Sequence, residues 1–143
     1  MDNKFMEKAF EMAKMAYEKG EVPVGAVVFC GGEIISLAHN ETIMRNNPCA
    51  HAELLAIERA FEKTGAYRLD NCEMYVTLEP CAMCAGAIAL SRLKRVYFGA
   101  YDTEKGALGG KIDVSSDLNM KTEIYGGICE KENSEILKKF FRK

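Results

Sequence analysis

At 143 residues, with 48% apolar and 28% charged side chains and a formal net charge of −2, the chain has the makeup of one globular domain, not of a disordered tail or a membrane protein. A domain of this size buries about two-thirds of its unfolded surface, so no metal is needed merely to hold it together. The near-neutral charge balance excludes a uniformly basic coat while leaving room for a local basic surface.

Met1 to Phe10 alternates charged and apolar residues without the apolar run of a secretory signal. The longest apolar run, Val22 to Cys30, is broken by Pro23 and Gly25 and is far too short to span a bilayer. The cytoplasm, without membrane contact, is the expected compartment, and there the six cysteines are expected as thiols rather than as disulfides. Cys81 and Cys84 stand apart by their spacing. Cys30, Cys49, Cys72 and Cys129 sit at apolar or helix-start positions, where a free cysteine packs as a small hydrophobe. Cys49 has a second possibility, because it lies two residues before His51 and is close enough to reach whatever His51 holds.

From Lys4 to Lys19, Phe5, Ala9, Met12, Ala13 and Ala16 recur at spacings of three and four, which predicts an amphipathic helix ended by Gly20. Val24 to Cys30 is β-branched and apolar, Gly31 and Gly32 supply a tight turn, and Glu33 to Ala38 completes a hairpin. The polar stretch His39 to Pro48 leads into a helix from Ala50 to about Lys63, with Leu54, Ile57, Ala60 and Phe61 as its inner stripe and Gly65 as its stop. Met74 to Leu78 reads as a buried strand running into Pro80, Cys81 to about Ser91 as an Ala-rich helix, and Arg95 to Gly99 as the next strand. Strand, helix, strand in this order implies a parallel pair. A Gly-rich, charged loop follows, with a helical turn before Met120, a fifth strand over Thr122 to Tyr125 and a final helix over Glu130 to Phe141. The whole predicts one α/β domain, residues 1–143, with a mixed sheet of about five strands and no linker or repeat.

Two short stretches carry the chemistry: Pro48-Cys49-Ala50-His51-Ala52-Glu53, and Glu79-Pro80-Cys81-Ala82-Met83-Cys84. One imidazole and two thiolates suit zinc, whose catalytic sites keep the fourth tetrahedral position for water. Residues two apart on a helix point to opposite sides, so His51 and Glu53 can converge only beyond its first turn. Pro80 is tolerated where a helix begins, and Cys81 and Cys84 at i, i+3 share a face. Two helix N-termini are therefore expected to meet at the metal, their partial positive charges favouring thiolates and a bound hydroxide. Glu53, left over beside that water, is placed to act as general acid and base.

His51-Ala52-Glu53 with Pro80-Cys81-Ala82-Met83-Cys84 resembles the H-x-E…P-C-x-x-C signature of the zinc-dependent nucleobase deaminases. Glu21 to Ala26, Leu78 to Ala87, Phe98 to Asp102 and Phe140-Phe141-Arg142 are similar to the bacterial tRNA-specific adenosine deaminases, and the similarity covers nearly the whole chain. The resemblance implies a three-layer α/β/α sandwich, cytidine deaminase-like, that converts adenosine to inosine at the wobble position of a tRNA anticodon. It further implies one Zn²⁺ per subunit on His51, Cys81 and Cys84, with Glu53 as proton shuttle. Asn40 and Ala52 are implied as substrate-binding residues, Asp102 as a contact to the RNA near the base, and a homodimer as the working form. Cys49 departs from the family, whose members often carry a hydroxyl residue there.

Blander readings stand beside these. A structural zinc closed by Cys49 or Cys72 would make Glu53 a bystander, and a deaminase of a free base or nucleoside of guanine or cytidine type would use the same metal chemistry. Asn40 and Asp102 are also ordinary turn and cap residues. The terminal run, with Lys138, Lys139, Arg142 and Lys143 around Phe140 and Phe141, is either a solvated end or a phosphate-contacting arm, in which Lys139, Arg142 and Lys143 are the candidate RNA contacts.

Overall fold

The structure, a computed structural model, describes residues 4–142, so Lys143 lies outside the described residues. The elements run α1 (Lys4–Glu18), β1 (Gly25–Cys30), β2 (Glu33–His39), α2 (Ala52–Thr64), β3 (Cys72–Leu78), α3 (Ala82–Ser91), β4 (Arg95–Ala100), β5 (Glu123–Tyr125) and α4 (Glu130–Phe141). Gly31 and Gly32 both adopt positive φ, 59° and 80°, the conformation a two-residue hairpin turn demands. The sheet order is β2-β1-β3-β4-β5, with β1 antiparallel to β2 and β3, and β3, β4 and β5 mutually parallel.

Alternation along the strands sorts the core into two layers. Ala26 and Val28, Met74 and Val76, and Val96 and Phe98 meet Ala52, Leu55, Ala56 and Ala60 of α2 and Ala85 and Ile88 of α3 on one face. Val27, Phe29 and Tyr75 meet Met6 and Ala9 of α1 on the other. Helices thus cover both faces, the α/β/α sandwich expected. On the α1 face Phe5, Phe29, Tyr75, Tyr97 and Tyr125 stack in series across the sheet, with successive ring centroids 4.0, 5.7, 4.4 and 5.3 Å apart. Gly25 lets α1 lie directly on β1: a Cβ there would come within 2.0 Å of the Ala9 carbonyl oxygen. Among the described residues no helix is long and apolar enough to cross a membrane.

Several boundaries differ from those expected. Both site helices start later, α2 at Ala52 and α3 at Ala82, because His51 (φ −78°, ψ 150°) and Cys81 (φ −76°, ψ 176°) are extended N-cap residues. In α2 the buried stripe uses Leu55 and Ala56, whereas Leu54 is only partly buried. The helical turn before Met120 is present as residues 115–119, with the Leu118 N–H donating to the Val114 carbonyl at 2.9 Å. The largest correction concerns two cysteines read as independent thiols: Cys30 and Cys72 are bonded to each other. They face one another directly in the β1–β3 register, a pairing between distant strand ends that local pattern does not reveal.

Candidate active site

His51 and Cys81 occupy the N-caps of α2 and α3, and Cys84 lies in the first turn of α3. The three donor atoms lie within 4.8 Å of one another. His51 Nδ1 stands 3.7 Å from Cys81 Sγ and 3.5 Å from Cys84 Sγ. With ordinary zinc–sulfur and zinc–nitrogen bond lengths, a tetrahedral site has nitrogen–sulfur edges of about 3.6 Å, so this donor set fits the metal that the sequence implies. Cys49 is exposed and outside the cluster, and Cys72 is bonded to Cys30, so neither closes it. Among the described residues no further His, Cys, Asp or Glu joins the three, which leaves a position for water or substrate.

The electrostatics of the cluster favour a cation. The Cys81 sulfur accepts from the Cys84 S–H and from the His51 ring, which lowers its pKa to about 3 against the opposing effect of burial. Cys84 is pushed up, foremost because its proton is held in that bond. His51 is raised, chiefly by its hydrogen bond with Cys81, with burial opposing and the nearby Glu53 charge assisting. A thiolate facing an imidazolium is an arrangement a soft divalent ion can replace.

Glu53 is 4% exposed, in the first turn of α2 beside the cluster. Burial raises its carboxyl to about 7, partly offset by its own backbone N–H. Asn40, at the end of β2, accepts from the Ala52 N–H through Oδ1 at 2.8 Å, tying the loop before α2 to the peptide between His51 and Glu53. Its carbonyl oxygen being engaged, Asn40 offers the cavity its amide donors. Ala52 is fully buried and does not line the cavity.

A cavity of about 980 Å³ opens at the cluster, at the carboxyl ends of β3 and β4, and extends along α4. Asn40, His51, Glu53, Cys81 and Asp102 all line it. Asp102 Oδ1 accepts from the Glu104 and Lys105 N–H groups, both at 3.0 Å, so the residue caps a turn within the cavity wall. Of the terminal cations it is Lys138, with Phe141, that lines the cavity; Lys139 lies 5.3 Å over the Tyr17 ring and Arg142 caps α4. Lys105 and Tyr101 line it too, without having been singled out in the sequence. Two buried acids lay within the stretches that carry the resemblance but were given no role of their own. Glu21, 1% exposed, accepts from the Ile43 and Met44 N–H groups at 3.0 and 2.7 Å and holds one wall; Glu79, 2% exposed, lines the cavity beside Asp102. An acid in an otherwise apolar stretch is the signal that could have found both.

An α/β/α sandwich with a His-Cys-Cys cluster at two helix N-termini and a buried glutamate beside it defines a hydrolytic deaminase. A family model for MafB19-like deaminases matches residues 1–143. The chain is 44% identical to a tRNA-specific adenosine deaminase of Bacillus subtilis (99% of this chain, 89% of the relative) and 45% identical to one of Aquifex aeolicus (97% and 93%). A solved structure from a study of A-to-I editing by tRNA:A34 deaminases at the wobble position of transfer RNA superposes with a TM-score of 0.89 at 40% identity, covering 95% of this chain and all of that one. The chain belongs to the tRNA-specific adenosine deaminase family.

Proposed function

We propose that the protein hydrolyses adenosine to inosine at wobble position 34 of a tRNA anticodon in the cytoplasm, with zinc held by His51, Cys81 and Cys84. The observation that carries the reading is Glu53, a carboxyl buried beside the three-donor cluster and facing a cavity that continues well past it. Zinc supplies, when bound, a hydrolytic nucleophile at neutral pH by acidifying water. Glu53, with its proton affinity raised toward neutrality, takes the proton of the attacking water and delivers it to N1 of adenine. The water oxygen bonds to C6, its remaining hydroxyl proton passes to N6, and the C6–N6 bond breaks, so that ammonia leaves and the C6 carbonyl of inosine remains. Asn40 orients the base through its amide donors while its carbonyl stays on Ala52. The cavity reaches Lys105, Lys138 and Phe141, which favours a substrate carrying phosphates and further bases over a free nucleoside.

A homodimer accords with α3, which is apolar all round yet leaves Met83 and Leu90 uncovered, Leu90 at 84%. Incubation with an anticodon stem-loop bearing A34 is expected to yield inosine, and free adenosine none. Turnover of free guanine or cytidine with an inert stem-loop would instead favour the free-base alternative.

A further inference from the structure

Glu79 joins β3 to Pro80 and Cys81, and its side chain is 2% exposed. None of the ion pairs among the described residues includes it. Its carboxylate instead accepts backbone N–H groups from the loop after β4: Asp102 N on Oε1 at 2.9 Å, and Leu108 N and Gly110 N on Oε2 at 2.9 and 2.7 Å. Hydrogen bonds to an ionised acceptor are the strong kind, and they compensate for taking this carboxylate out of water. The loop wraps the carboxylate so closely that a Cβ at Gly106 or Gly110 would come within 2.4 or 2.1 Å of Oε1. Further along the same junction, the Ala107 N–H donates to the Pro80 carbonyl at 3.0 Å and Gly106 bridges Cys81. The start of this loop, Tyr101 to Lys105, is one wall of the cavity.

One side chain thus fixes that wall relative to the strand end that delivers Cys81. We propose that Glu79 is a positioning residue: it pins the 101–110 loop so that substrate is gripped in a set register to the metal cluster. The proposal rests on the tRNA reading only for the substrate used in its test.

Glu79→Gln keeps the shape but turns an amide N–H₂ toward backbone donors. It is expected to keep its circular dichroism and about one zinc per chain by elemental analysis. The Leu108 and Gly110 amides are expected to exchange hydrogen about ten- to a hundredfold faster, and KM for the stem-loop to rise by a similar factor, with kcat within about threefold of wild type. Gly110→Ala, which keeps the carboxylate and displaces the loop sterically, is expected to do the same and decides the matter if Glu79→Gln does not fold. Wild-type turnover of the stem-loop is the control for the substrate reading; should that fail, amide exchange still reports on Glu79. Unchanged protection and KM in a folded variant would overturn the proposal. So would loss of zinc and kcat at constant KM, which would make Glu79 a support for Cys81, and so would failure of both variants to fold.

Discussion

At the scale of single residues, Glu53 couples chemistry to stability. Its ordinary pKa of 4.5 applies in the unfolded chain and about 7 in the fold, burial being the main cause. Below about pH 4.5 both states hold the proton and nothing is lost. As pH rises toward 7 the unfolded chain releases its proton first, so the folded state loses at most about 3 kcal/mol, fully so above that range. Metal-stripped Glu53→Gln is therefore expected to match metal-stripped wild type in urea midpoint at about pH 4 and to exceed it at about pH 8. With metal bound, Glu53→Ala is expected to stay folded and zinc-loaded while kcat falls by about 10²- to 10⁴-fold, measured as inosine formed per active-site zinc. His51, Glu53, Cys81 and Cys84 stood out through their resemblance to a deaminase signature, since a C-x-x-C by itself is equally a redox or structural-zinc pair; the fold brings the three donors together with Glu53 beside them. Lys138 did not stand out, because choosing among Lys138, Lys139 and Arg142 depends on how α4 is rotated against the sheet, which is set by packing and not by composition.

At the scale of elements, β1 shows what a sequence pattern conveys and what it omits. The β-branched run and the Gly31-Gly32 turn announced a hairpin, but β1 is apolar along its length, so its pattern did not say which residues face which layer. The other neighbour of β1 is β3, whose register comes from a crossover no local pattern encodes, so the Cys30–Cys72 bond stayed hidden. Closing a segment of 42 residues is worth about 4 kcal/mol in the chain-entropy account. Reduction is expected to lower the unfolding free energy by about 2–4 kcal/mol and to leave deamination unchanged, since Cys72 opens β3 while the cavity lies past Leu78 at its other end. Denaturant midpoints with and without reductant check both parts. Gly25→Ala acts on the same strand. Its new methyl meets backbone of α1 rather than a movable side chain, so α1 must lift from the sheet, at a cost of about 1–3 kcal/mol.

For the molecule as a whole, two polarities are set by the sheet. The parallel strands β3 and β4 end where the cavity opens, in the crevice where open α/β sheets usually bind their ligands. The element order and the mixed sheet were legible from the succession of patterns, and the three layers from the family resemblance; the cavity was not, because its far wall comes from α4, the last element. α3, which starts at the site, presents uncovered apolar surface at Met83 and Leu90. Met83→Lys together with Leu90→Lys is expected to give a smaller sedimenting species than wild type; equal sedimentation would mean that this face does not join subunits.

The row of stacked rings on the α1 face has a practical corollary. The protein has no tryptophan and six tyrosines, and three of those tyrosines stand in that row, on β3, β4 and β5. The Tyr97 phenol is pushed up to about 12, first by burial and then by the adjoining Glu73 charge. Its phenolate absorbance should emerge only in strong alkali while the strands are intact, and earlier once they part. Near-ultraviolet dichroism and alkaline titration therefore follow the integrity of the sheet from the side opposite the metal ligands, an optical gauge that separates an inactive protein from an unfolded one.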